Sequence, residues 1–293
     1  MERDIRMQSS LSSTGFATST PRSIESIEAG TAALLDSGRV AVPPLPWVAA
    51  TLLHDTHSLN PGVQLLGELA TDDALASAVL RICNSPTYQP RTPVVSLQQA
   101  SSRLGLSALS EIALAAALQS SVFAIEGFEN EMRAYWRGAL AAALFAKDLG
   151  RSCGLCDAET FPCGLLHEIG FPLALQAAHS WSLANGYCPS ATGVRELVIA
   201  TGHRLTPQAG ACVVEAWALE APLAPAIFSH HPAFRVTDSP HSTIAHMATQ
   251  MAASLYRREP QWARPPADPT DLAASALPRL GDTVRVWVDS LTV

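Results

Sequence analysis

FPCGLLHEIGF, residues 161–171, sets a His beside a Glu inside an apolar run. On a helix, an adjacent imidazole and carboxylate can jointly hold a metal ion. Leu165, Leu166 and Ile169 surround the pair with core-type side chains, so His167 is expected to be at least partly buried. Two readings follow. The pair is part of a working metal centre, or its polar groups satisfy one another and the backbone inside a packed interior.

Outward from this stretch, apolar residues keep recurring at helical spacing. Helices are expected near 129–151, 158–170, 171–185, 192–200, 206–217, 221–230 and 240–258. Upstream, Ile24, Ile27, Leu34 and Leu35 form a first amphipathic stripe. VPPLP (42–46) is a stiff connector, because each Pro fixes its own backbone and pushes the preceding residue away from helix. WVAATLLHDT resumes the helical pattern, and NPG (60–62) is a turn. Asp72 is placed to cap a helix carrying Leu75, Val79 and Ile82 on one face. A helix from about Ser96 breaks at Gly105, and a long helix follows. Val94–Val95 is the one β-like pair in that region. In the last segment, Leu280, Val284, Val288 and Leu291 match a helix stripe; a lone strand there would have no partner. The expected class is all-α, an N-terminal helical subdomain packed on a helical bundle.

The expected organisation is a mobile Ser/Thr-rich tail over 1–22, the N-terminal subdomain over 23–125, the bundle over 126–259, and a Pro-rich linker with a C-terminal helix over 260–293. The 293 residues suffice for one large domain or two small ones. Charged residues are only 15% of the chain and the net charge is −7, with no dense Lys/Arg cluster, which argues against a nucleic-acid partner. No apolar run reaches the length of a membrane span, and the N-terminus lacks the apolar core of a secretory signal. A cytoplasmic protein is expected, and the six Cys, set among core residues without a regular framework, agree with that.

Seven stretches, in order, resemble a known family: PPLP (43–46), LRICNSPTY (80–88), RLGLSAL (103–109), YWRGALAAALFAKDLG (135–150), GLLHEIG (164–170), TGHRLTPQAGACVVEAW (201–217) and AIFSHH (226–231). Together they are similar to the HD-related output domains, the HDOD group of bacterial signalling proteins. The resemblance covers about 40–258. It implies an all-helical fold related to HD-type phosphohydrolases, and a regulatory role, often beside cyclic-di-nucleotide signalling.

Active members of the wider HD superfamily bind metals that activate a water against a phosphate ester. Carried onto this chain, their first His falls at Gly138, which offers no ligand. Their His-Asp pair falls on His167 and Glu168, one methylene longer. A Lys that often follows in active phosphodiesterases is replaced by Phe171. His203 matches a ligand position, and His230 and His231 match another. The final Asp falls near Thr249, a neutral hydroxyl. The surviving metal donors are therefore His167, Glu168, His203, His230 and His231, a vestigial set, and no cofactor is expected.

Other chemistry-bearing residues carry less. CGLC (153–156) has CxxC spacing, and Cys163 and His167 lie four apart, so a zinc site from these four residues is conceivable. A redox motif of the common kind expects a strand before a helix; here a helix precedes. His54 and His57 share a helix face without the Glu of a zinc-protease motif. His179, His241 and His246 read as structural or surface residues. No GxSxG elbow or Gly-rich phosphate loop occurs. Asn84 reads as a helix stop, tolerating a left-handed backbone before Pro86.

The function expected is a non-catalytic signalling module that meets a protein partner in trans, with no nucleic acid or membrane as partner. Two rivals stand beside it: a metal-dependent phosphohydrolase or phosphodiesterase with a reduced site, and a nucleotide-binding sensor using the old active-site cleft.

Overall fold

The computed structural model describes residues 24–54, 61–85, 88, 92–121, 125–189, 193–228, 239–256, 284 and 288. The expected N-terminal tail and most of the Pro-rich C-terminal region lie outside them. The fold is all-α, with no strand among the described residues.

The first helices follow from local signals. α1 covers Ile24–Asp36, α2 Trp47–His54 and α3 Pro61–Leu69. α4 (Asp73–Cys83) starts where the Asp72 carboxylate accepts a hydrogen bond from Leu75 N at 2.9 Å. That satisfies one of the donors every helix start leaves open. α5 (Leu97–Leu104) starts on Ser96, whose hydroxyl accepts from Gln99 N. The Gln99 side chain reaches back to accept from Val95 N. Gly105, at φ +81, turns the chain from α5 into α6 (Leu106–Ser121). Few L side chains tolerate that backbone.

Asn84 departs from expectation. Its φ is −95°, so it is not left-handed. Its amide instead clamps the chain ten residues on. Nδ2 donates to Leu80 O and Val94 O, both at 2.8 Å, and Oδ1 accepts from Val94 N at 2.7 Å. One side chain thus gives Val94 the donor and acceptor that a neighbouring strand would supply. The β-like pair Val94–Val95 needs no sheet.

The second group is built on α7 (Glu129–Ser152), whose middle is buried all round, at Ala139, Leu140, Ala141, Ala142 and Ala143, and whose next turns bury Phe145, Ala146 and Leu149. Small residues let α8 (Asp157–Leu166) approach closely. A Cβ on Gly164 would stand 2.6 Å from Ala142 O and 2.7 Å from Ala143 Cα. A Cβ on Gly150 would strike Thr160. The two helices therefore run antiparallel. α9 (Gly170–Ala184), α10 (Val194–Arg204), α11 (Thr206–Ala216) and α12 (Leu223–Phe228) follow, and α13 (Pro240–Tyr256) returns across α7 and α8. Each fully buried Leu or Phe, such as Leu140 or Phe145, contributes about 1.5–3 kcal/mol relative to exposure.

α1 docks on α9, α10 and α11. Gly30 lies so close to the Trp181 indole that a Cβ would overlap it. Glu28 pairs with Arg204 at 3.0 Å, and Gln208 Nε2 donates to Asp36 Oδ1 and Ala32 O. The stiff connector is tied down as well: Trp217 Nε1 donates to Pro43 O at 2.8 Å. α2–α6 pack mainly among themselves, and α6 meets α8. Near the C-terminus, Val284 and Val288 are helical and buried, one turn apart. No helix among the described residues is long and apolar enough to cross a membrane.

Candidate functional site

The sequence suggests one helix over 158–170, but the structure breaks it. α8 ends at Leu166 and His167 is its C-cap. Ile169 N then bonds to Leu166 O, and Phe171 N to Glu168 O, both at 2.9 Å. These three-residue steps tighten the chain and redirect it into α9. Pro172, which has no N–H, cannot return an ordinary helical bond to Glu168 O. The His-Glu pair therefore sits in the corner between two helices.

His167 is 2% exposed. Its Nδ1 lies 2.6 Å from Gly164 O. A carbonyl only accepts, so Nδ1 carries the hydrogen, and in the neutral ring Nε2 bears the lone pair. Glu168 Oε2 stands 3.7 Å from that Nε2, while the Glu168 side chain is 41% exposed and opens toward solvent.

Three further side chains converge on this corner. Burial, and secondarily the Glu168 charge, pushes the Tyr135 phenol on α7 well above its ordinary value. On α10, the His203 ring stacks on Phe171 with centroids 4.3 Å apart, and Phe171 in turn lies against Tyr135. Desolvation lowers the His203 pKa, and the Glu168 carboxylate partly offsets it. On α13, His246 is held below its ordinary value by burial and then by the nearby His167. His246 reads in sequence as an isolated residue. It lies one turn before Thr249 on the same helix, and that spacing was the available signal.

The remaining expected positions fall as follows. Along α7 and α8, Thr160 meets Gly150 and Gly164 meets Ala142–Ala146. The same antiparallel run carries His167 toward the turn of α7 that holds Gly138. Among the described residues, a Cβ on Gly138 would meet nothing within 4 Å. The Thr249 hydroxyl donates to Ala245 O at 2.8 Å, within its own helix. His230, His231, His57 and the His54 side chain lie outside the described residues. His179 packs edge-on against Phe128, and His241 Nε2 lies 3.0 Å from Glu159 Oε2.

The four-residue zinc grouping is not assembled. The Cys163 thiol is buried, donates to Pro222 O, and is pushed up to about 12 by desolvation. Cys153 and Cys156 are exposed in the turn between α7 and α8. Among the described residues, no three His, Cys, Asp or Glu side chains stand together in a way that could hold a metal ion.

A family model of the HDOD domain matches residues 42–233. No curated protein matches the chain. Among solved structures, an HDOD domain protein of unknown function from Geobacter sulfurreducens is 18% identical, with a TM-score of 0.61 over 92% of this chain and 99% of that one. A candidate phosphohydrolase from Shewanella amazonensis SB2B is 22% identical, with a TM-score of 0.60 over 90% and 98%. A candidate signal transduction protein from Marinobacter aquaeolei VT8 is 16% identical, with a TM-score of 0.60 over 95% and 68%. Identities this low speak to the fold alone. The family model covers well over half of the chain, and its span holds the His-Glu corner and the Asn84 clamp: this chain belongs to the HDOD family.

Proposed function

We propose that the chain is a non-catalytic signal-transduction module, acting in the cytoplasm through contact with a protein partner in trans, in the setting of cyclic-di-nucleotide signalling. The observation that carries this reading is the open space at Gly138. The position resembles that of the first metal-binding His in active HD enzymes. Here it has no side chain, and among the described residues no atom lies within 4 Å of the place a Cβ would take. Thr249 supports the same reading, since its hydroxyl is spent on Ala245 O. A two-metal centre does not fit this donor set: the position of the first imidazole is Gly138 and that of the final carboxylate is Thr249. His167, Glu168, His203, His230 and His231 are then remnants of such a centre. The similarity to a candidate signal transduction protein agrees with a signalling role.

One observation favours the enzyme reading. The bond from His167 Nδ1 to Gly164 O is the kind of backbone tie that orients a metal-binding imidazole, with Nε2 as the ligand atom. The test uses full-length protein supplied with Mn²⁺, Fe²⁺ or Mg²⁺ and offered phosphomonoesters and cyclic di-nucleotides. No turnover is expected. Turnover by the parent, lost in a well-folded His167→Ala variant, would establish the enzyme instead. A rise in melting temperature with a nucleotide, without turnover, would identify a binding sensor.

A further inference from the structure

The six cysteines divide by environment. Burial pushes the thiols of Cys83 and Cys163 up, to about 11 and about 12. Thiols held protonated in an apolar setting are poor nucleophiles. Cys212 is shifted in the same direction. Cys153, Cys156 and Cys188 are exposed, and none of the six is in a disulfide. Two of the exposed three, Cys153 and Cys156, stand at the two ends of the four-residue connection between α7 and α8.

That connection has a defined shape. Cys153 caps the end of α7, with its N–H on Leu149 O and Gly150 O. Gly154 takes φ +76. Leu155 N closes back onto Gly150 O at 2.9 Å, and Cys156 is the N-cap of α8. Two exposed thiols separated by two residues have two common uses, a metal and a disulfide. Metal binding lacks donors, because Cys163 is engaged with Pro222 O and no third ligand joins the pair among the described residues. A structural zinc site takes four. A disulfide needs only the pair itself, with Cα atoms within about 4.4–6.8 Å, a separation that residues three apart reach when the backbone between them closes into a turn. Gly154 is the residue best able to change its backbone to do so.

We propose that Cys153 and Cys156 are a reversible dithiol–disulfide pair, a modification site for low-molecular-weight disulfides. In the balanced step, one cysteine thiolate attacks a sulfur of glutathione disulfide and displaces a glutathione thiolate, giving a mixed disulfide. The second cysteine, its proton passing to solvent, attacks the cysteine sulfur of that adduct and displaces the other glutathione. Two electrons and two protons pass from the protein to one glutathione disulfide, yielding two glutathione molecules. The bond would bracket the start of α8, the helix that ends on His167. Asp157, next in the chain, holds Arg151 through a bidentate ion pair and approaches Lys147 at 3.9 Å. Oxidation therefore acts on the junction of α7 and α8 without touching the His-Glu corner directly.

The test equilibrates full-length folded protein in a series of glutathione redox buffers, quenches with acid and maps the peptides by mass. The expected result is a Cys153–Cys156 link lacking two hydrogens, its fraction following the ratio of glutathione disulfide to the square of glutathione. Cys188, which lies outside the α7–α8 connection, should carry only a mixed disulfide. In Cys153→Ser or Cys156→Ser, the remaining thiol should retain its glutathione adduct. Glutathione adducts on both cysteines of the parent without a link, or unchanged thiols across the series, would overturn the proposal.

Discussion

Glu111 on α6 and Lys147 on α7 face each other across the seam between the N-terminal helices and the bundle. The ammonium stands 2.5 and 2.7 Å from the two carboxylate oxygens. Their side chains are only 9% and 16% exposed. Glu111 is raised from its ordinary 4.5, chiefly by burial, while Lys147 pulls it back down.

Lys147→Met is therefore expected to leave a buried carboxylate without its cation. Breaking such a pair costs about 3–5 kcal/mol. The pH dependence follows from the sign of the shift. A carboxyl raised in the folded state contributes stability below its unfolded value, and that contribution is lost as pH rises through the folded value. Removing Lys147 moves the folded value further up. The variant's deficit should be largest near neutral pH and shrink as pH falls toward 4.5. Urea melts of parent and variant at several pH values check this; a deficit that grows with acid would refute it.

Gly138→Ala and Gly164→Ala should move stability in opposite directions. At Gly138 a methyl meets nothing among the described residues, and replacing a mid-helix glycine gains about 0.5–1 kcal/mol. At Gly164 the methyl would press on Ala142 O and Ala143 Cα, which are backbone atoms of the facing helix. Overpacking of that kind costs about 1–3 kcal/mol or more. Thermal melts read both.

Asn84→Ala is expected to release Val94 from its side-chain clamp and destabilise the chain by about 1–3 kcal/mol. Asn84→Asp keeps the acceptor for Val94 N but loses both donations, to Leu80 O and Val94 O. Hydrogen exchange at the Val94 amide should quicken strongly in the first variant and less in the second.

His167→Ala should act on stability. It removes a buried imidazole and leaves Gly164 O without its donor, at a cost of about 1–3 kcal/mol plus a cavity term. Chemical denaturation measures the loss, and a variant as stable as the parent would show that the ring contributes nothing to packing.

The class of the fold was legible because apolar stripes such as that of Leu75, Val79 and Ile82 on α4 carry their own period. Local caps were legible too, as at Asp72 and Ser96. What the sequence could not disclose is where a stripe docks. The apolar face of α1 does not say that it will meet α9–α11, and Asn84 does not announce a bond ten residues away. At the site, His167 and Glu168 stood out as neighbours in the chain. His246 did not, because its relation to His167 exists only once α13 has folded back across α8. The break after Leu166 escaped notice because Pro172 lies beyond the pair it bends.

The tie from Trp217 to Pro43 O has a mechanical meaning. The α2–α6 group leaves the bundle at that bond and rejoins it at α7, while α1 stays docked on the far side. A body held at two points can only rock about the line that joins them. The Glu111–Lys147 contact, together with the packing of α6 on α8, is a third fastening, made through side chains rather than chain continuity. Three points make a rigid mount. A partner that pries the third one open would free a single rocking motion, with the Pro-rich connector and α7 as its pivots.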